Sequence, residues 1–125
     1  MTQIDAKTEA LVPAWLTLPD AAEKLGVEVT RVRQLVKEGQ LIAVRRVGED
    51  GESKVLQVPA DFIGDGKVVK GLVGTITLLK DDGFSDEEML EWLFTEDESL
   101  PGSPVRALRE NRGTEVKRRA QALAV

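Results

Sequence analysis

Five polar side chains between residues 30 and 37 have the chemistry needed to read DNA. Arginine can hold guanine through two hydrogen bonds, glutamine can hold adenine in the same way, and threonine can contact either kind of base. Lysine adds contacts to phosphate. The stretch therefore predicts a recognition helix over about residues 29 to 38 that enters the major groove, with base contacts from Thr30, Arg31, Arg33 and Gln34 and a backbone contact from Lys37.

Signals on both sides of this stretch predict the elements that would position it. Thr17 can cap a first helix, because Asp20 follows three residues later. Gly26 ends that helix after two turns, where a left-handed backbone angle is expected. The second helix places an apolar face toward the core, formed by Val29, Val32, Leu35 and Val36.

A two-stranded hairpin is predicted directly after the second helix. Residues 41 to 47 form a β-rich run, residues 48 to 52 the turn and residues 54 to 58 the return strand, which Pro59 ends. Its stem carries Arg45, Arg46 and Lys54, which we expect to contact the DNA backbone, although the two arginines must point to opposite faces. The tip is acidic, with Glu49, Asp50 and Glu52, which disfavours its insertion into the minor groove.

Residues 16 to 41 resemble the N-terminal domain of the MerR and excisionase families, a winged helix-turn-helix that binds DNA. The matching positions are Leu16, Thr17, Ala21, Ala22, Leu25, Gly26, Val27, Val32, Arg33, Leu35, Gly39 and Leu41. The whole chain further resembles a family of small actinobacterial winged-helix DNA-binding proteins with a helical domain after the wing, through its layout and its tail LRENRGTEVKRRAQAL. That second resemblance implies a Ser/Thr protein kinase as a partner.

The polar segment before Pro13 predicts a flexible arm over residues 1 to 13. Within it, Thr8 is the candidate phosphorylation site and Thr2 the less favoured alternative, given the resemblance to a kinase-substrate family. A phosphate would add about −1.5 to −2 charge at neutral pH. Close to Arg31, Arg33 and Arg45, that charge would compete with DNA phosphate and weaken binding, most of all at low salt.

The remaining chain predicts a helical C-terminal domain over residues 64 to 125, behind a winged helix-turn-helix over residues 14 to 63. Its helices are expected from about residue 72 to 82, from Ser85 with Glu88 completing a capping box, from Ser103, and from Thr114 to about residue 123. The fold class is mostly α with a small β-hairpin wing. The basic tail leaves three interpretations open: a solvated helix surface, auxiliary phosphate contacts, or association through Val105, Leu108, Val116 and Leu123.

The charge of the chain is unevenly distributed. The net charge is −5, yet residues 24 to 46 hold six Lys and Arg against two Glu, and residues 104 to 125 hold the same numbers. Acidic side chains concentrate in residues 81 to 98, with nine Asp and Glu and no base. Since the Debye length is about 8 Å at physiological salt, the charges close to the DNA affect binding more than the net charge of the chain does.

Composition disfavours several other functions. The chain has no cysteine and no histidine, which excludes a disulfide and argues against a conventional zinc or copper site and against the usual nucleophile-and-base catalysis. We therefore expect no enzyme, metal or cofactor. No apolar run approaches the ~20 residues of a spanning helix, and no signal peptide is recognisable, so a cytoplasmic protein of the nucleoid is expected.

The sequence thus predicts a protein that reads double-stranded DNA, as a transcriptional regulator or a nucleoid-associated factor. The alternative is a protein-interaction module, an adaptor or antitoxin-like protein that acts through the acidic face of its C-terminal domain. A homodimer and a monomer both stay open. A coiled-coil dimer is not expected, because no long heptad helix is present.

Overall fold

The structure is a computed structural model that describes residues 5–48, 50–100 and 102–123. Most of the described elements are short helices. One described strand lies directly before the second helix, and the other described strands lie between the third and fourth helices. The elements in chain order are α1 (Ala6–Leu11), β1 (Trp15–Thr17), α2 (Leu18–Leu25), α3 (Val29–Lys37), β2 (Val44–Val47), β3 (Lys54–Pro59), a 3-10 turn (Ala60–Phe62), β4 (Ile63–Gly64), β5 (Lys67–Val68), α4 (Leu72–Asp81), α5 (Asp86–Phe94), α6 (Pro104–Arg109) and α7 (Gly113–Ala122).

The helix-turn-helix formed by α2 and α3 begins and turns at the residues that the sequence indicates. The Thr17 hydroxyl accepts a hydrogen bond from the Asp20 amide at 3.3 Å, so Thr17 is the N-cap of α2. Gly26 ends α2 with φ at +67°, an angle that costs glycine little because it has no Cβ. The tight turn lets α3 pack back against α2.

The wing is part of a three-stranded antiparallel sheet in the order β1-β3-β2. The predicted hairpin is β2 and β3, which pair from Val44 opposite Gln57 to Val47 opposite Lys54. The third strand, β1, was not predicted, because three residues are too few to show an alternating pattern. It pairs with β3 and so attaches the start of α2 to the base of the wing.

The C-terminal helices follow the predicted caps with one exception. The Ser85 hydroxyl accepts from the Glu88 amide at 3.1 Å while the Glu88 carboxylate accepts from the Ser85 amide at 2.9 Å, which is the capping box. Ser103 caps α6 by accepting from the Arg106 amide at 3.3 Å. The prediction that Thr114 caps the last helix is wrong: α7 begins at Gly113 and has no side-chain cap.

One hydrophobic core joins both halves of the described chain. Val32 of α3 and Val58 of β3 belong to the same buried cluster as Leu72 of α4 and Leu93 of α5. The 3-10 turn forms the link, since Phe62 is fully buried and its ring lies 5.8 Å from the ring of Phe94. The C-terminal helices therefore support the helix-turn-helix rather than extending from it on a linker.

The first described residues correct the prediction of a flexible arm. Residues 6 to 11 form α1, whose N-cap Asp5 accepts a hydrogen bond from the Thr8 amide at 2.8 Å. The helix packs against α5, and Thr8 and Val12 are buried. The helix could not be predicted from the sequence, because six residues are too few to form a stable helix alone and α1 depends on packing against other elements. Residues 1 to 4 of the predicted arm lie outside the described residues.

Candidate nucleic-acid interface

The helix α3 has one buried face and one exposed face, as its sequence predicts. Val32 and Leu35 are buried in the core, and Val29 and Val36 pack against it. All of the residues predicted to contact DNA lie on the exposed part of the helix, namely Thr30, Arg31, Arg33, Gln34 and Lys37. The packing therefore fixes the helix while leaving a row of donors and acceptors open to a partner.

A chain of hydrogen bonds runs along the exposed face of α3. Arg31 Nη1 donates to Gln34 Oε1 at 3.0 Å, and Gln34 Nε2 donates to Glu38 Oε2 at 3.1 Å. Glu38 Oε1 accepts from Gln40 Nε2 at 3.2 Å and lies 4.0 Å from Arg31 Nη1. Glu38 was not predicted as a functional residue. Its spacing of four residues from Gln34 was the available signal, since side chains at i and i+4 meet on a helix.

The strand register of the wing separates its cations. Arg45 lies opposite Leu56 and Lys54 lies opposite Val47, on one face of the sheet. Both cations are exposed. Neither forms an ion pair with any of the residues that the structure describes, so each can reach an anionic partner.

Arg46 lies on the opposite face and is engaged within the protein. Its guanidinium donates to Glu9 Oε1 of α1 at 2.7 and 3.1 Å and to Gln57 Oε1 at 2.9 Å. It also lies 4.7 Å from the centre of the Trp15 ring, a cation–π contact. Only 24% of the side chain is exposed. The predicted DNA contact of Arg46 stays a prediction, and in this conformation the group is committed to holding α1 on the sheet.

Thr8 occupies a different environment from the accessible one that was predicted. The residue is 2% exposed, and its hydroxyl donates to Glu87 Oε1 of α5 at 3.4 Å. The Asp5 amide donates to the same carboxylate oxygen at 3.4 Å. The expectation that Thr8 lies in an accessible flexible segment is therefore wrong for this conformation, since α5 covers it.

The wing tip is closed by one of its own acidic residues. The Asp50 carboxylate accepts from the amides of Glu52 at 3.0 Å and Ser53 at 2.9 Å. These hydrogen bonds, the one from the Glu52 amide first, hold the pKa of Asp50 below its ordinary value. Glu49, which was also predicted at the acidic tip, lies outside the described residues. The turn thus uses Asp50 for its own geometry and presents negative charge at the tip.

Several cations of the basic tail brace the fold. Arg109 Nη1 donates to the carbonyl oxygens of Asp61 at 2.9 Å and Ile63 at 3.1 Å, which ties α6 to the 3-10 turn. Arg112 Nη1 donates to the carbonyl of Leu100 at 2.8 Å. The cations that remain exposed on α7 are Lys117, Arg118 and Arg119.

The apolar residues of the tail are used in the core. Val105, Leu108 and Val116 are buried, so an association surface built on them is ruled out in this fold. Leu123 is exposed. Within the described part of the chain, none of the helices is both long and apolar enough to cross a bilayer.

A helix-turn-helix with an exposed polar second helix, followed by a β-hairpin packed on the same core, defines a winged helix-turn-helix protein. Comparison with known families agrees. Residues 3–63 match the model described as "DNA-binding protein Rv2175c, wHTH domain", and residues 69–124 match "Rv2175c C-terminal domain of unknown function". The chain belongs to the Rv2175c family.

Two comparisons describe the relation to that protein. The chain is 44% identical over 119 residues to the DNA-binding protein Rv2175c of Mycobacterium tuberculosis, covering 86% of this chain and 78% of the relative. It is also similar to the NMR structure of Rv2175c, with a TM-score of 0.80 and 38% identity over 100% of this chain and 90% of that one.

Proposed function

We propose that the protein binds double-stranded DNA, with α3 in the major groove and the wing stem on the adjacent backbone. The observation that carries the proposal is the exposed row of polar side chains on α3, held rigid by Val32 and Leu35 in the core. Membership of a family whose N-terminal model is described as the wHTH domain of a DNA-binding protein supports the same function.

The contacts divide by chemistry. Thr30, Arg31, Arg33 and Gln34 are assigned to base edges, because their side chains can donate and accept in the major groove. Lys37, Arg45 and Lys54 are assigned to phosphates, which fix the register on the duplex without reading sequence.

The biological role that follows is that of a transcriptional regulator or a nucleoid-associated factor, located with the DNA. The alternative of an adaptor or antitoxin-like module is not favoured, since the family description names DNA binding for the first domain. A Ser/Thr kinase acting on Thr8 stays a prediction. In the described conformation α1 must detach from α5 before a kinase reaches the hydroxyl, because Thr8 is buried.

The test is DNA binding by the complete chain, measured by fluorescence anisotropy with labelled duplexes at several salt concentrations. Neutralising each phosphate contributes about −0.9 to the slope of log K against log salt. With Lys37, Arg45 and Lys54 on the backbone, we expect a slope of about −2 to −3. A triple Ala variant at these positions should lose most of that slope while keeping its melting transition. Absence of binding by the unmodified protein at low salt would refute the proposal.

A further inference from the structure

We infer that Glu38 is a specificity-determining residue, which holds the amide of Gln34 in the orientation that reads an adenine in the major groove. The inference rests on the DNA-binding function proposed above and goes beyond it by naming a base and a positioning residue. Neither the family descriptions nor the sequence pattern assigns a role to Glu38.

Both ends of the Gln34 amide have a partner on the same helix face. Its oxygen accepts from Arg31 Nη1 at 3.0 Å, and its nitrogen donates to Glu38 Oε2 at 3.1 Å. A guanidinium can only donate and an ionised carboxylate can only accept. Rotating the amide by 180° would therefore place two donors together at Arg31 and two acceptors together at Glu38. The two charged neighbours thus select one of the two amide orientations.

The selected orientation leaves the hydrogen-bonding capacity that adenine requires. A glutamine amide has two lone pairs on oxygen and two hydrogens on nitrogen, and the helix uses one of each. One acceptor and one donor remain on the amide. Adenine presents a complementary pair in the major groove, the N6 amino donor and the N7 acceptor. Gln34 can therefore present an acceptor and a donor to adenine from an amide whose orientation its two neighbours select.

The placement of Glu38 also explains why a carboxylate belongs on a surface that meets DNA. Its side chain is 42% exposed and that of Arg31 is 47% exposed, so both stand at the surface. A negative charge there lowers affinity for every duplex, because it faces phosphate. It raises the difference between sequences, because an amide held in one orientation rejects the wrong base. Glu38 thus lowers the affinity for every duplex and increases the difference in affinity between sequences.

The test compares variants of the complete chain on a random-sequence duplex pool at one fixed salt concentration, followed by anisotropy on the selected duplex and its single-base variants. The adenine read by Gln34 is the selected position whose preference disappears in Gln34→Ala. At that position Glu38→Ala should reduce the discrimination between adenine and the other bases roughly five- to tenfold. This is within the discrimination that one side chain with two hydrogen bonds to a base provides. Its affinity for random DNA should rise. In the double variant, discrimination should fall no further than in Gln34→Ala, since the two residues act together.

Two control variants separate the loss of the Gln34 orientation from the loss of a negative charge near the DNA. Glu28→Ala removes the same charge from the other end of α3, where Glu28 makes no side-chain cap bond. It should raise affinity for all duplexes and leave discrimination unchanged. Glu38→Gln keeps an acceptor and should keep most of the discrimination. Unchanged discrimination in Glu38→Ala, or a selected site without a Gln34-dependent adenine, would overturn this inference alone. No DNA binding by the unmodified protein would overturn the proposed function and this inference with it.

Discussion

Glu9 of α1 and Arg46 of the wing are joined by two hydrogen bonds to one carboxylate oxygen, at 2.7 and 3.1 Å. The residues are 37 positions apart in the chain. Through this pair the N-terminal helix is fixed to the sheet, while the neighbouring Thr8 contacts Glu87 of α5. Two adjacent wing arginines consequently lie in different environments, and separate substitutions distinguish what each contributes.

Arg46→Ala should destabilise the protein by about 1 to 2 kcal/mol, because it removes the hydrogen bonds to Glu9 and Gln57 and a cation–π contact. Thermal unfolding measures the effect. Arg45→Ala is the matched control at the exposed neighbouring position. It should leave the melting temperature unchanged and weaken binding to all DNA sequences alike, as loss of a phosphate contact does. The reverse pattern, a stable Arg46→Ala protein with weakened DNA binding, would assign Arg46 to the interface.

Arg33→Ala should weaken binding to a selected DNA site by about 1 to 3 kcal/mol and relax the preference at one base position. Arg33 is exposed on α3, and among the described residues it has no ion-pair partner. The melting temperature should not change, which separates a lost contact from a lost fold. Equal affinity for the selected site would remove Arg33 from the reading set and leave Arg31 as the alternative.

Thr8→Glu should destabilise the fold by about 1 to 3 kcal/mol, because it forces a charge into a buried position beside Glu87. Ala10→Glu introduces the same charge at an exposed position of α1 and should have little effect on thermal unfolding. A Thr8→Glu protein as stable as Ala10→Glu would show that α1 is easily displaced from α5. Such displacement would make Thr8 accessible to a kinase.

Glu88 should make stability depend on pH in the acid range. The hydrogen bond from the Ser85 amide, and then the one from its hydroxyl, hold the pKa of Glu88 below its ordinary value. A pKa lowered in the folded state contributes stability above the unfolded value, and this is lost as the pH falls through the folded value. Melting temperatures should therefore decline below about pH 5, and less steeply in Glu88→Gln, which keeps an acceptor without titrating. Identical slopes in both proteins would contradict this.

Gly26→Ala should cost about 1 kcal/mol, because φ at this position is +67° and a Cβ is disfavoured there. Among the described residues other than its two chain neighbours, no heavy atom lies within 4 Å of the position of that Cβ, so the cost is conformational and not a clash. Gly26→Asn should cost less, since asparagine tolerates the left-handed region. Chemical denaturation of the three proteins checks the order, and an alanine variant as stable as the glycine protein would disagree with it.

Elements marked by local signals could be read from the sequence. The start of α2 at Thr17, its end at Gly26 and the capping box of Ser85 with Glu88 are confirmed, because each depends on hydrogen bonds or backbone angles within a few residues. The two faces of α3 follow from its apolar period. Which of its polar residues contact DNA stays a prediction.

Pairings between distant segments could not be read in this way. The short helix α1 exists because α5 and the sheet receive it, and its own six residues cannot hold it together. β1 is recognised only by its pairing with β3. Arg109 and Arg112 looked like a basic surface, but they donate to backbone carbonyls in other segments.

By itself, the sequence determined a helix-turn-helix whose second helix has an exposed polar face, since the signals for helices, caps and tight turns lie within a few residues of one another. The tertiary structure decided which charged side chains are exposed to a partner and which are bonded within the protein. Arg45 and Arg46 are neighbours in the chain, yet the alternation of β2 turns one outward and places the other against Glu9, Gln57 and Trp15. A charge is free or committed according to what the fold brings to within about 3 Å of it, and no local pattern records that distance.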